Sequence, residues 1–527
     1  MTVNTPIVRF ENLPAAIQTT LEQERLLIIG QKTSVGTAVE GELYTGLEQG
    51  LAFENLSGKN SIGAAMIRAA QEMISVSEIK PQINAIFFED AGSAVAAAGA
   101  VIFTNNPTAA TEDKTIYVTV GDSERHRYKL DIKTDDTATV IGGYLVAAIT
   151  ADDTAPVTAI NTTGSVALTA VNKGAEGNKL TIQIEGYVAG ISLSITQFTG
   201  GTLSPTITSI FTTIANIRMQ RIVMPETYDI DAVVDFLETR WLPTVTGIIK
   251  DGALIVVLTD TLANLKASTV AANKKSVALL PNKPVNLLPI GNADLLVVGS
   301  AHVQMNYVIA AKIAAISSLR LTTAAEIADY TDAVLSSRDN FGGIHISTLP
   351  YHNTPLTGVP LADKRNVWSE EETLELLDAG YGIFGNNTEN TAVLIGDVVT
   401  RYKTNTFGKD DVSYKYLNYL DQSSVVREYM TVKLKERFKQ YRLTTGKLIP
   451  DFDMANEGLI KSECIKLYGE LAGAAIMVAG TNEKQLFVNN LTVTINEALG
   501  RSTVRMINPA VTQLREITGY IELVFTT

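Results

Sequence analysis

The 527-residue chain holds one cysteine, four histidines and two tryptophans. With Cys464 alone, an intramolecular disulfide and a Cys-rich zinc centre are both excluded, and a cysteine-poor chain suits a reducing compartment. No HExxH is present, and none of His126, His302, His345 and His352 is followed four residues later by a second metal-type ligand. His345 and His352 bracket a strand-like run, but isolated histidines read first as structural. No run of 18 apolar residues can form a spanning helix, and the charge-free stretch from Gly186 to Ile217 is rich in Ser and Thr. Met1 to Phe10 shows neither the basic nor the apolar stretch of a signal peptide. Positive charge is also short: the net is −13 at pH 7, which argues against a general nucleic-acid binder.

What the chain does have is apolar substance. Hydrophobic residues make up 46% and charged residues 19%, a globular composition with length for roughly three to four domains. The charge is uneven. Arg401 to Pro450 carries eleven Lys or Arg against five Asp or Glu, so the remainder carries −19. Such asymmetry points to a surface that meets an acidic partner, for which a protein is the natural reading.

Periodicity divides the chain. Residues 1–22 show no helical or alternating pattern and read as an arm ordered by partners. The run Leu26 to Gly30 predicts a buried strand, Ile62 to Ile74 a helix capped by Ser61, and Ile83 to Phe88 a second strand parallel to the first. Five segments then alternate apolar with polar: Thr115 to Val120, Tyr128 to Ile132, Ser165 to Thr169, Leu180 to Ile184 and Ile191 to Ile195. They predict an antiparallel β domain with one helix near Ala138 to Ile149. Strand-helix alternation resumes with a strand at Arg221, a helix over Asp229 to Trp241, a strand over Ala253 to Thr259, a helix over Thr261 to Asn273 and a strand over Val277 to Leu280. Helices near Ala301 to Ser317 and Ala324 to Ser336 and a strand-like run at Ile344 to Leu349 follow. Beyond Pro350 the pattern predicts helices over Glu370 to Ala379, Asp421 to Gln440 and Gly458 to Ala479, then strands over Leu491 to Ile495 and Ile517 to Phe525. The fold class expected is an α/β core, a mostly parallel sheet with flanking helices, carrying an inserted antiparallel β domain, a helix-rich α+β C-terminal domain and extended N- and C-terminal arms. The boundaries are 1–22 for the N-terminal arm, 23–104 and 203–355 for the two parts of the core, 105–202 for an outward-facing insertion, 356–505 for the C-terminal domain and 506–527 for a linker and strand arm.

Motifs of catalysis are missing. Gly58-Lys59 would need a glycine at Phe53 and a hydroxyl at Asn60 to form a phosphate loop, and no GxGxxG follows either early strand. No GxSxG elbow positions a nucleophile. Cys464 falls on the apolar stripe of its helix with Ile460, Leu467, Leu471 and Ala475, a core position. The acids Glu370 to Glu372 fit the first turn of a helix better than a cation site. The basic run Lys433, Lys435, Arg437, Lys439 and Arg442 suits an exposed helix face and phosphate or acidic-protein binding equally. No catalytic residue, metal or cofactor is expected.

Several motifs in order carry a resemblance. Ile222-Val223-Met224-Pro225, Thr239-Arg240-Trp241, Val367-Trp368-Ser369-Glu370, Arg401-Tyr402-Lys403-Thr404-Asn405-Thr406-Phe407-Gly408-Lys409-Asp410-Asp411, Lys461-Ser462-Glu463, and Asn508-Pro509 with Val511, Gln513, Leu514 and Arg515 resemble the contractile tail sheath proteins of Mu-like phages. The resemblance implies a structural subunit that polymerises as a six-fold helical sleeve around a tail tube and contracts to drive the tube through the host envelope. It implies a virion location with assembly in the host bacterial cytoplasm. The implied partners are neighbouring sheath subunits joined by strand exchange, the tail tube protein, and baseplate and tail terminator proteins, with no nucleic acid and no membrane insertion. It also implies site residues: Ile517, Tyr520, Ile521, Leu523, Val524 and Phe525 in an intersubunit strand, Ile7, Val8 and Phe10 in N-terminal arm contacts, and Lys461, Lys466 and Glu470 facing the tube. The physics of edges agrees, since an unpaired terminal strand is a hazard that β-augmentation turns into a linkage, and head-to-tail linkages generate helical arrays. The alternatives are a soluble α/β hydrolase-type enzyme and another self-assembling surface or virion protein.

Overall fold

A strand whose residues are all apolar needs cover on both faces, and the run at Leu26 receives it. The computed structural model describes residues 24–75, 80–122, 124–241, 250–284, 304–322, 351–362, 366–449, 452–473 and 476–511. These fall in two units. One holds the described residues between Glu22 and Asp329 and between Asn353 and Leu417; the other holds those from Asn418 onward with Tyr351 and His352.

In the first unit the elements run β1 (Arg25–Gln31), β2 (Leu43–Tyr44), α1 (Ala52–Ser57), α2 (Ile62–Ile74), β3 (Gln82–Phe88), β4 (Ala98–Asn105), β5 (Lys114–Val120), β6 (Arg127–Ile132), α3 (Ala138–Ala151), β7 (Val157–Thr162), β8 (Ser165–Ala170), β9 (Ile182–Glu185) and β10 (Ile191–Thr199). They continue with α4 (Ser209–Thr213), β11 (Arg221–Val223), α5 (Ile230–Thr239), β12 (Ala253–Thr259), α6 (Leu262–Ala267), β13 (Val277–Asn282), α7 (Asn306–Thr322), α8 (Glu370–Asp378), β14 (Ile383–Asn386) and β15 (Ala392–Ile395). The main sheet has the order β13-β12-β11-β1-β3-β2, parallel except for β2. One face packs Leu27, Ile29, Ile222, Leu254 and Leu279 against Val233, Val234 and Leu237 of α5 and Leu376 of α8. The other carries α2 and α7, and in α7 the residues from Ile309 to Ala315 lie wholly inside, Lys312 included. There Lys312 pairs with Glu72 at 3.0 Å and donates to the Thr357 carbonyl, so the buried ammonium is not left without partners.

Between the two halves of this sheet lie two antiparallel sheets, β10-β4-β8-β7 and β6-β5-β9, with α3 packed on strands of both. Strand β4 pairs with β8 and β10, so antiparallel pairing begins at Ala98, ahead of the position 105 read from the alternation. Strand β7, with Ile160 69% exposed, gives no buried stripe and went unread.

Caps explain where helices start. Ser61 Oγ accepts the Ala64 N–H at 3.0 Å, Asp229 that of Ala232 at 3.0 Å, and Ser369 that of Glu372 at 3.1 Å, while Glu372 answers the Ser369 N–H at 2.8 Å. Ser369→Ala is expected to cost about 1 kcal/mol, seen as a lower midpoint in denaturant unfolding. The helix expected over Thr261 to Asn273 stops at Ala267, because Ser268 turns extended with φ −67° and ψ 129°, and Ala271 and Asn273 beyond it take φ of 49° and 57°. The helices expected near Ala301 and Asp421 begin instead at Asn306 and Leu417. The segments Ala324 to Ser336 and Ile344 to Leu349 lie outside the described residues.

The second unit comprises α9 (Leu417–Phe438), β16 (Arg442–Leu443), β17 (Met454–Ala455), α10 (Glu457–Gly473), α11 (Thr481–Asn490), β18 (Thr492–Asn496) and β19 (Arg501–Arg505). Its centre holds Tyr429, Cys464, Leu467, Tyr468, Leu471 and Phe487, with Tyr468 and Phe487 rings 4.6 Å apart. The helix expected over Gly458 to Ala479 ends at Gly473, and Ile476 and Met477 turn back to donate to the Leu471 carbonyl.

Candidate assembly surfaces

Helix α10 carries the residues read as tube-facing. Its buried side is Ile460, Cys464, Leu467 and Leu471, which leaves Lys461, Lys466 and Glu470 toward the rim or outside. Lys466 is exposed and lies 3.3 Å from Glu463 and 3.7 Å from Glu470; those carboxylates raise its pKa. Glu470 accepts from the Tyr429 hydroxyl of α9 at 2.5 Å, and Lys461 pairs with Glu457 at 2.7 Å. The three residues share one element as expected, but each is already engaged within its own unit. Lys433 and Arg437 likewise lie 3.8 and 3.9 Å from Glu436 and Glu463, so the basic run is partly neutralised. The arm residues Ile7, Val8 and Phe10, and Ile517, Tyr520, Ile521, Leu523, Val524 and Phe525, lie outside the described residues.

The motif residues do structural work. Arg240 donates to the carbonyls of Lys250 at 2.8 Å, Ile214 at 3.0 Å and Ile217. Trp241 donates to Ser276 Oγ at 2.8 Å. Arg401, 5% exposed, donates to the Ala379 and Ser268 carbonyls and lies 4.4 Å above the Tyr381 ring. These guanidinium groups close loop ends that would otherwise leave buried carbonyls unpaired.

Beyond Arg401 the motif becomes a projecting turn. Asn405 Oδ1 accepts the N–H groups of Phe407 and Lys409 at 2.9 and 3.2 Å, its own N–H donates to the Lys409 carbonyl at 2.9 Å, and Gly408 takes φ of 72°. The base is fixed by Asn273, whose Oδ1 accepts from Lys403 and Thr404 at 2.9 and 2.8 Å. At the tip Phe407 is 86% exposed. Sequence reasoning used this stretch only as a resemblance; an apolar ring at the apex of an Asn-x-x-Gly turn was the available signal.

A second feature of the same unit is an open recess of about 250 Å³ at the end of β13, walled by Trp368, Ile383, Phe384 and Ile395 with Asn386 and Thr373 at its polar side. Trp368 Nε1 donates to the Pro281 carbonyl at 3.1 Å.

Groups that could suggest catalysis are placed otherwise. Cys464 is wholly buried, and burial with Glu463 nearby pushes its thiol up to about 11. His126 Nδ1 lies 2.9 Å from Asp152. His302 and His345 lie outside the described residues. Among the described residues no three His, Cys, Asp or Glu side chains are placed to hold a metal ion, and no helix is long and apolar enough to cross a membrane. Glu176 and Glu226 form the most perturbed pair. Burial, then Glu226, pushes Glu176 up to about 8; its Oε2 accepts from Thr227 at 2.9 Å, while its Oε1 finds no partner among the described residues. Glu226 accepts from Asn306 at 2.6 Å and Thr259 at 2.9 Å and lies 3.3 Å from Lys179.

No family model matches the chain. Comparison with curated proteins finds the Mu-like prophage FluMu tail sheath protein of Haemophilus influenzae, 22% identical over 477 residues that cover 89% of this chain and 87% of that relative. The chain is similar to a tail sheath protein. The similarity spans the motifs from Ile222 to Asp411 and meets the resemblance they carried. Among solved structures, a sheath tail protein from Listeria innocua aligns with a TM-score of 0.47 at 11% identity, covering 94% of this chain and 93% of that one. The helical sheath of the anti-feeding prophage in its contracted state aligns with a TM-score of 0.41 at 11% identity, covering 98% of each.

Proposed function

We propose that this chain is the structural subunit of a contractile phage tail sheath, polymerising as a six-fold sleeve around a tail tube and contracting to drive that tube through the host envelope. The observation that carries the reading is the likeness to a prophage sheath protein over 89% of this chain and 87% of that relative. The reading assigns no catalysis: the work of contraction is stored in a metastable packing of subunits and released without a nucleotide. The arms 1–22 and 506–527 tether neighbours by adding strands to a shared sheet. The tube protein, the baseplate and the tail terminator are the further partners, the virion is the location, and α10 offers Lys461, Lys466 and Glu470 as a modest polar contact that can release.

Electron microscopy of the purified chain tests the reading. Tubes or stacked rings are expected from the full chain. Ending the chain after Thr518 is expected to abolish them while the far-ultraviolet spectrum and thermal midpoint stay unchanged. Normal polymerisation of the shortened chain would overturn the strand-exchange assignment, and a full chain that stays monodisperse at high concentration would overturn the sheath itself.

A further inference from the structure

The projecting turn and the recess sit at opposite ends of one edge strand. Strand β13 is bonded on one side to β12 and ends the main sheet. At its start, the Arg401 N–H donates to the Val277 carbonyl at 3.3 Å, and Asn273, four residues earlier, holds the base of the turn. At its end, Pro281, Asn282 and Lys283 border the recess. Six residues at 3.3 Å each set the two features about 20 Å apart, so Phe407 cannot fill the recess of its own chain.

Their chemistry is complementary. Phe407 offers a bare aromatic ring on a backbone already fixed by Asn405 and Gly408, so little ordering entropy remains to be lost on contact. The recess offers the indole of Trp368 and the aliphatic and aromatic walls of Ile383 and Phe384. Charge agrees as well. Lys409, two residues from the ring, is exposed and has no carboxylate partner among the described residues; Glu389, between the lining residues Thr388 and Asn390, is exposed and has no cation partner among them.

We propose that Phe407 of one copy seats in the recess of a second copy, with Lys409 set against Glu389 at its rim. The contact joins two different patches, so, made in one direction between successive copies, it runs head to tail and, repeated, builds a ring or a helix. It deepens the sheath reading, on which it rests for the presence of neighbouring copies, by naming a rigid contact between the sheath subunits' main bodies in addition to the flexible arms.

Sedimentation of the purified full-length chain over a range of concentrations, paired with electron microscopy, tests it. Phe407→Ser is expected to weaken self-association roughly thirty-fold, the scale of a buried aromatic anchor. The thermal midpoint should stay unchanged because the ring makes no core contact. Lys409→Glu and Glu389→Lys are each expected to weaken it roughly three- to five-fold, as rim charges do, and the double variant to restore it to within about two-fold. Tubes that form equally well from Phe407→Ser, or a double variant no better than either single one, overturn the contact while leaving the sheath reading standing. Concentration-dependent oligomers that depend on Phe407 but never form tubes support the contact and count against the sheath. A chain that stays monomeric throughout overturns both.

Discussion

Gly30→Ala is expected to cost about 2–3 kcal/mol, a large effect for one methyl group, because strand β1 and helix α2 touch backbone to backbone at that point. An added Cβ would lie 2.7 Å from Gly63 Cα and 3.1 Å from Gly63 N. The helix cannot slide toward β3 to relieve this, since a Cβ on Gly63 itself would already be 2.8 Å from the Phe87 ring, and α7 flanks it. Equilibrium unfolding in urea should show a lower midpoint at unchanged slope. Gly143→Ala supplies the contrast. That glycine sits inside α3 with negative φ and nothing within 4 Å of the new atom, so the substitution should stabilise by roughly 0.5–1 kcal/mol through helix propensity. Equal effects at the two sites would contradict the close approach.

The second large effect depends on pH. Glu176 is buried beside Glu226 and holds its proton up to about 8, against 4.5 for an ordinary glutamate. Below 4.5 both folded and unfolded chains carry the proton and the term is absent. Between 4.5 and 8 the unfolded chain gives it up while the folded chain keeps it, so native stability falls as pH rises through that window. Glu176→Gln removes the titration and can still accept from Thr227. Its stability relative to the native chain should be near zero at pH 4.5 and grow to a gain on the order of a few kcal/mol at pH 8. A difference that stays flat across that range would show that Glu176 is already ionised in the fold.

The main sheet was legible because its strands announce themselves. Leu26 to Ile29 and Ile83 to Phe88 are unbroken apolar runs, and Ser61 stands where a cap must be. Parallel pairing of β1 with β3 was read from the helix at Ile62 to Ile74; the connection also holds β2 and α1. The misread parts lacked a one-dimensional signal. The helical pattern of α6 continues through Val270 and Ala271, but the chain turns extended at Ser268 and left-handed at Ala271, and nothing in Ala271 demands positive φ. Strands β2 and β7 are formed by pairing partners distant in sequence or by exposed alternation, which periodicity ranks low. The candidate surfaces were half legible. Position along α10 placed Lys461, Lys466 and Glu470 away from the core. Their ion pairs and hydrogen bond depend on Glu457, Glu463 and Tyr429, whose approach only packing decides. Phe407 looked like one residue of a motif, and its exposure became apparent only with the turn around it.

The inserted sheets also set a schedule for synthesis. Strand β1 pairs on one side with β3 but on the other with β11, Leu26 facing Arg221 and Ile28 facing Val223. About 130 residues separate the end of β3 from β11, and a ribosome adding about 5–20 residues per second takes roughly seven to thirty seconds to make them. For that interval a nascent molecule displays a ready apolar strand whose proper neighbour does not yet exist, and emerging chains on the same messenger offer identical strands. Overproduction therefore meets its precipitation hazard during translation rather than in the finished protein. The hairpins β5–β6 and β7–β8, which close over short distances, are what the polypeptide can safely build while it waits.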